Sequence, residues 1–463
     1  SHRGPTSRSS PEVENAFLSM VTTLRGMGCD HLYAAYTRRL DAKPQSLTFE
    51  SLSMIEDSPA VREARAEAAW RLGLWDDETL DRSDVGNLTE DGVGLHESLY
   101  RALSSLQKGR ANEASQVMKA CACQLVAQLG QLGDEGGKRL EEVSSSLRLC
   151  TEVYEVASAG AQSGLTAAVA TALDLTSFTS SEKISLVGED GDQDAYTCME
   201  PVLALHSTML RCWTDAQSVA DRAPLAHVLL QWVAYARRSN NYPMAAARLS
   251  ELAGLKLSDE DRARAEWQHA QLLWEADVLS LHRDRKRAEA VAAVLLEQCK
   301  VSKPQFVHLG VDICSKLAVW KASERSISEK AFNDISKLHS HAVLMCEGLR
   351  VENPENTRSH VHHTFANFLE AQYRAILAEK NSPWEQRIEH MYTAMGTLCP
   401  SDAQTDSLLG QHDDRADAPR AILLNQLRAR ERWVKERGER ILKLAQSAFD
   451  QHAASARRVA NDT

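Results

Sequence analysis

The chain has 463 residues, with 53 basic against 64 acidic side chains and a formal charge of −11. That balance argues against broad, non-specific nucleic-acid binding, which needs a basic footprint, and no run of about 18 apolar residues is present to span a bilayer. Gly and Pro number only 22 and 12, well below the roughly 12% that ordinary chains carry, so helix breakers are scarce and helix is favoured almost everywhere.

Residues 1–12 are polar, with Gly4, Pro5 and Pro11, and are expected to form a loose, disordered tail. No charged start followed by an apolar core is visible near Ser1, so no secretory signal is expected. Residues 13–177 read as a first helical-repeat segment. Within it, Trp70-Arg71-Leu72-Gly73-Leu74-Trp75-Asp76 predicts a helix that ends and reverses at Gly73. Residues 178–195 are rich in Ser, Gly and Asp and read as a polar surface loop. Residues 196–398 read as a second helical-repeat segment. Its apolar residues recur three or four apart: Leu225, Leu229, Trp232 and Ala236; then Ala263, Trp267, Ala270, Trp274 and Val278; then Ala288, Val291, Leu295 and Cys299; later Val361, Phe365, Phe368, Gln372 and Ile376. Each set falls on one face of a helix. Asn240-Asn241-Tyr242-Pro243 predicts a turn, and Ser258 an N-cap followed by acids in the first turn. Residues 399–420 carry Pro400, Gly410, Pro419 and several Asp and read as a loop. Residues 421–463 read as a long charged helix and tail, with Glu431–Lys435, Glu436–Arg440 and Glu439–Lys443 spaced to pair.

These elements predict an all-α chain, an α-solenoid of antiparallel helical hairpins of the TPR/HEAT-like kind. Such an array outgrows the usual domain size because each repeat touches only its neighbours. No strict repeat is visible; Trp70 to Gly73 approaches the tetratricopeptide pattern with a spacing one residue short.

Local patterns that could carry chemistry fail in their details. His282-Arg283-Asp284 imitates a kinase catalytic loop, yet the position needing a metal-binding Asn holds Glu289; an exposed polar turn is expected. Asp190, Asp192 and Asp194 imitate the start of a calcium loop, but Ala195 and Pro201 stand where Gly and a bidentate Glu are required. His360 and His363 are three apart rather than four, with His362, His339 and His341 scattered around them, and exposed helix histidines are expected in place of a zinc site. The basic residues Arg428 to Lys443 are interleaved with acids and read as a solvated helix face. The ten cysteines include no CxxC and are expected to be reduced and mostly buried, in a cytosolic or nuclear setting. Cys121 and Cys123 would point about 200° apart on a helix. No catalytic, cofactor-binding or metal residue is expected.

Residues Glu67 to Asp76 read EAAWRLGLWD and Leu95 to Leu106 read LHESLYRALSSL. Together they resemble the early FAT region of the ATM branch of the phosphatidylinositol-3-kinase-related protein kinases, with Leu95 replacing the family Tyr. Leu24 to Leu32 with Tyr36, Glu200 to Leu205, and Phe365 to Tyr373 are similar to further family segments in the same order. The resemblance spans roughly residues 13–455 and is dense only in residues 67–106. It implies an α-solenoid that lies N-terminal to a kinase domain, wraps and regulates it in cis, and contributes to homodimer contacts. The whole protein would be a nuclear serine/threonine kinase of the DNA double-strand-break response, with other proteins of that response as partners. Neither direct nucleic-acid contact nor a membrane is expected. No kinase motif is present to carry over. The matched residues are structural: Trp70 and Trp75 as aromatic anchors, Asp76 in the turn after them, His96, Glu97 and Tyr100 at a helix start, and Glu200 and Pro201 in the later segment.

Two other readings compete. An unrelated TPR-like adaptor would bind peptides or proteins in a groove lined by Trp213, Trp232, Trp267, Trp274, Trp320 and Trp433. An all-helical enzyme would need a convergent acid–base or metal cluster.

Overall fold

A computed structural model describes residues 11–39, 58–76, 80, 94–129, 137–163, 193–213, 219–276, 283–301, 306–322, 329–347, 354–380, 435–436, 438–451, 453–454 and 457. Among these the regular elements are all helical. They divide into two compact units, residues 1–288 and 289–463.

The first unit holds α1 (Pro11–Gly26), α2 (Asp30–Arg39), α3 (Pro59–Leu72), α4 (Leu95–Gln107), α5 (Ala111–Leu129), α6 (Gly137–Ser163), α7 (Gln193–Trp213), α8 (Val219–Arg238), α9 (Tyr242–Ala253) and α10 (Asp259–Glu275). Each packs on the next, α4 also meets α6, and α8 also meets α10. That pattern of neighbour and next-neighbour contact is a stack of helical hairpins. The fold is an all-α solenoid.

Local chemistry sets where the helices stop and start. Ser58 has extended backbone and Pro59 opens α3, where its missing N–H would have no partner in any case. At the other end Gly73 takes φ +67°, and the N–H groups of Gly73 and Leu74 close on the carbonyls of Trp70 and Ala69. A Cβ at Gly73 would lie 2.8 Å from the Cys212 sulfur, so both the left-handed backbone and the close approach require glycine. Asn241 caps α9 and Ser258 caps α10, the latter accepting from the Asp261 N–H at 3.1 Å.

The predicted stripes form the core. Leu225, Leu229, Trp232 and Ala236 are all buried, as are Ala263, Trp267 and Ala270. They join Trp70, Leu99, Tyr100, Leu103, Met118, Leu149, Leu203 and Leu205 in one continuous cluster or in the helices beside it. Burying each large apolar side chain contributes about 1.5–3 kcal/mol. Small residues such as Ala66, Ala69 and Ala102 let the helices approach closely. A second cluster, Phe17, Val21, Tyr33, Ala34, Val61, Ala64 and Ala68, seats α1 and α2 on α3.

The described residues 283–301 form α11, within which the division after Ala288 falls. The second unit continues with α12 (Val307–Ala322), α13 (Glu329–Glu347), α14 (Pro354–Lys380) and helical residues 438–451. Here α12 and α13 form a hairpin, and α14 packs on both. Phe332, Ala366, Leu369, Ile441, Ala445 and Ala448 make a common core for α13, α14 and residues 438–451.

Several expectations change. His339 and His362 are buried, not exposed, and the His339 ring lies against Phe365 with ring centroids 4.3 Å apart. His360 and His363 are exposed as expected. Arg283 and Asp284 open a helix instead of forming a turn, with Asp284 paired to Arg287 at 3.6 Å. The α14 stripe is centred on Val361, Ala366 and Leu369, with Phe365 and Phe368 half-buried beside it. Arg440 reaches α13, donating to Asn333 at 3.2 Å and lying over the Phe332 ring. Tail residues 1–10, loop residues 178–192, residues 399–420 with Glu431 and Trp433, and Asp77, Glu78, Asp190, Asp192, Val278 and His282 lie outside the described residues; residues 193–195 belong to α7. No helix among the described residues is long and apolar enough to cross a membrane.

Candidate functional site: a buried charge junction

The residues singled out in EAAWRLGLWD, LHESLY and EP converge where α3 meets α4 and α7. Helix α3 brings Glu67 and Arg71 onto one face by their four-residue spacing. Glu67 accepts from the Arg71 Nε at 2.9 Å. The rest of the Arg71 guanidinium crosses to α7, where Nη1 and Nη2 donate to the two Glu200 oxygens at 2.7 and 2.9 Å. This is a bidentate pair between residues far apart in sequence, with both side chains buried. The guanidinium fork matches a carboxylate in the plane, which fixes direction as well as charge. Thr208 of α7 donates to the Arg71 carbonyl at 3.0 Å.

Around this pair the charge is matched group by group. Arg25 of α1 donates to Glu67 at 3.1 Å, and Tyr33 of α2 donates to the Ala64 carbonyl and toward Glu67. Beside them Arg248 of α9 pairs with Asp30 of α2 and with Glu251, while Arg211 of α7 also meets Glu251. The Arg248 guanidinium lies over the Trp232 ring, 4.1 Å from its centroid. Asn241 ties the end of α1 to α9 by donating to the Gly26 carbonyl at 2.9 Å.

The aromatic anchors close the other side. Trp70 donates from Nε1 to His96 Nδ1 at 3.3 Å, and the two rings stack. His96 must therefore carry its proton on Nε2 when neutral, the nitrogen that faces Glu67 at 3.9 Å. Glu63 of α3 accepts from the backbone N–H groups of His96 and Glu97 at 2.6 and 3.1 Å. It supplies the cap that the side chain of Gly94 cannot, and places a carboxylate at the positive end of α4. A Cβ on Gly94 would fall on that carboxylate.

Burial raises the proton affinity of the Glu67 carboxyl, but His96, Arg71 and Arg25 outweigh it and hold the group well below the usual carboxylate range. For Arg71, burial works against the charge, and Glu200 and Glu67 more than restore it. Burial and the adjacent Glu67 push the Tyr33 hydroxyl far up. The junction is thus a set of fixed charges. Each carboxylate is committed to a guanidinium, and Glu67, held low, is not poised to give or take a proton. Among the described residues no group of three or more His, Cys, Asp or Glu could hold a metal ion. The chemistry available is structural: one charged knot holding the helices in one register.

The structure brings Trp70, His96, Glu97, Tyr100 and Glu200 into this region. Glu97 turns away to pair with Arg101 at 2.6 Å. Trp75 is half-buried against Tyr100, with ring centroids 5.8 Å apart. Asp76 is exposed just beyond it. Pro201 is half-buried inside α7. Glu67 and Arg71 stand inside the quoted EAAWR segment, and their spacing of four was the available signal. Arg25, Asp30, Tyr33 and Glu63 gave no such signal, because their partners come from other helices; Arg248 has Glu251 three positions on, but its tie to Asp30 crosses to α2.

The model of the FAT domain family matches residues 62–294. The chain belongs to the FAT-domain family. The match covers just over half of the chain and contains the Glu67–Arg71–Glu200 knot. Comparison with curated proteins gives no match. The FAT domain is the non-catalytic helical region of phosphatidylinositol-3-kinase-related kinases. In this chain the Trp70, Tyr100 and Glu200 segments of the FAT domain serve its packing and its charge junction.

Proposed function

We propose that this FAT domain is the regulatory scaffold of an ATM-like serine/threonine kinase. The stacked hairpins hold a C-terminal kinase domain in cis, contribute to homodimer contacts, and serve a nuclear response to DNA double-strand breaks through other proteins of that response. The observation that carries the reading is the position of the Arg71–Glu200 tie inside the matched region. It locks α3 onto α7, so this part of the solenoid moves as one piece. Elsewhere contacts run mainly between neighbours, which lets such an array flex. A stiff block in a flexible array is suited to passing a change in curvature to a bound domain. The adaptor alternative loses support, because Trp213, Trp232, Trp267 and Trp320 are buried and cannot line a groove.

The test is phosphoryl transfer by the full-length protein with Arg71→Met. Loosening the clamp is expected to change kcat several-fold with little change in KM for ATP. Equal activity, together with equal hydrogen exchange in the kinase domain, would rule the coupling out.

A further inference from the structure

Helices α4, α5 and α6 bring two thiols and a hydroxyl together inside the first unit. Cys121 of α5 and Cys150 of α6 have their sulfurs 3.7 Å apart, and both are buried. The Cys150 S–H donates to Cys121, and Ser98 of α4 hydrogen-bonds the same sulfur.

We infer that Cys121 and Cys150 form a reversible dithiol–disulfide site that cross-links α5 to α6 when a hydroperoxide oxidises it.

The two sulfurs are chemically distinct. Donation from Cys150 lowers the Cys121 thiol below its ordinary value against the opposing effect of burial, with Ser98 assisting. The same hydrogen bond, with burial, pushes Cys150 up. Burial alone raises Cys299, and it is the main cause that raises Cys212. Cys121 is therefore the nucleophile and Cys150 the resolving thiol. The Cys121 thiolate attacks the terminal oxygen of the hydroperoxide. The O–O bond breaks, an S–O bond forms, and the leaving oxygen takes the thiol proton as water or an alcohol. The Cys150 sulfur then attacks the Cys121 sulfenic acid. The S–O bond breaks, the S–S bond forms, and the hydroxyl leaves with the Cys150 proton as water. Two thiols lose two electrons, and the hydroperoxide gains them. From 3.7 Å the sulfurs must close to the roughly 2.0 Å of a disulfide. Cys123, two positions on, is exposed on the other side of α5 and serves as an internal control for non-selective oxidation.

The test treats the native chain with hydrogen peroxide, blocks residual thiols in denaturant, and maps peptides without reductant. The expected product is a Cys121–Cys150 cross-linked peptide that dithiothreitol reverses. Cys150→Ser is expected to lose the cross-link and to yield a dimedone adduct on Cys121. Hydrogen exchange of α5 and α6 is expected to slow about tenfold after oxidation. If Cys123 is oxidised while Cys121 and Cys150 remain free to alkylate, or if the cross-link forms only in unfolded protein, the inference fails. The mapping needs no variant, so misfolding of Cys150→Ser would not shelter it.

Discussion

The two units bury ionisable side chains by opposite means. In the first, Glu67 and Arg71 stay charged, with the guanidinium within hydrogen-bond distance of both Glu67 and Glu200. In the second, His339 lies against Phe365 with no hydrogen-bond partner on Nδ1 among the described residues. Burial, with the neighbouring His362 adding to it, drives His339 down to about 4. One unit compensates its charge and the other suppresses it. The difference shows in what each tolerates. A compensated network fails when one member is removed, whereas a suppressed charge fails when the medium supplies a proton.

Removing one member should have the largest effect. Arg71→Met leaves Glu67 and Glu200 buried without their shared cation, and a loss of about 3–5 kcal/mol is expected. Thermal unfolding of the first unit would show it. Combining Arg71→Met with Glu67→Gln and Glu200→Leu should restore most of the loss, since an apolar replacement of a buried pair is often neutral. If the single variant is as stable as the native chain, the junction is not what binds α3 to α7.

Acid provides the second probe. The folded-state value of His339 lies below its unfolded value of 6.5. The stability it protects is fully present above 6.5 and is lost as the pH falls from there towards about 4. The loss is roughly 3 kcal/mol at 1.4 kcal/mol per pH unit. Glu67 is depressed well below its unfolded value of 4.5, so its contribution is still whole when that of His339 begins to fail and is lost only as the pH falls below 4.5. Hydrogen exchange should therefore report α13 and α14 loosening before α3 and α7. His339→Phe should abolish the earlier step. If both units loosen together in the variant as in the native chain, the contrast is unfounded.

The smallest effect sharpens the comparison by keeping the pairing and removing the burial. Arg374 meets Glu370 at 2.6 Å on α14, but both side chains are exposed, at 75% and 43%. Arg374→Ala should cost less than about 0.5 kcal/mol. A denaturant midpoint that shifts as far as it does for Arg71→Met would mean that the bond, and not its desolvation, sets the magnitude.

Much of this is readable in the sequence itself. Period and spacing placed Trp232 and Trp267 inside, Gly73 at a helix end, and Ser258 at a helix start, because those signals act within one turn of the chain. Glu67 and Arg71 were not singled out as a pair, though their spacing of four is a signal of the same short range. What was not legible is what needs a second helix. Nothing in a linear spacing says that Arg71 will find Glu200, or that Arg440 will reach Asn333 when Glu436 stands four positions before it. The histidines misled in a related way. On a helix surface His339 and His362 look like polar residues, and only packing against Phe365 and its neighbours strips His339 of its charge.

The Arg71–Glu200 pair also carries a timing consequence. Its partners are separated by 129 residues, so a ribosome adding about 5–20 residues per second delivers Glu200 roughly 6–26 s after Arg71. Throughout that interval the guanidinium has only half of its eventual anionic surroundings. The hairpins made before α7 must wait for it to complete them, and chaperones have that long to engage them.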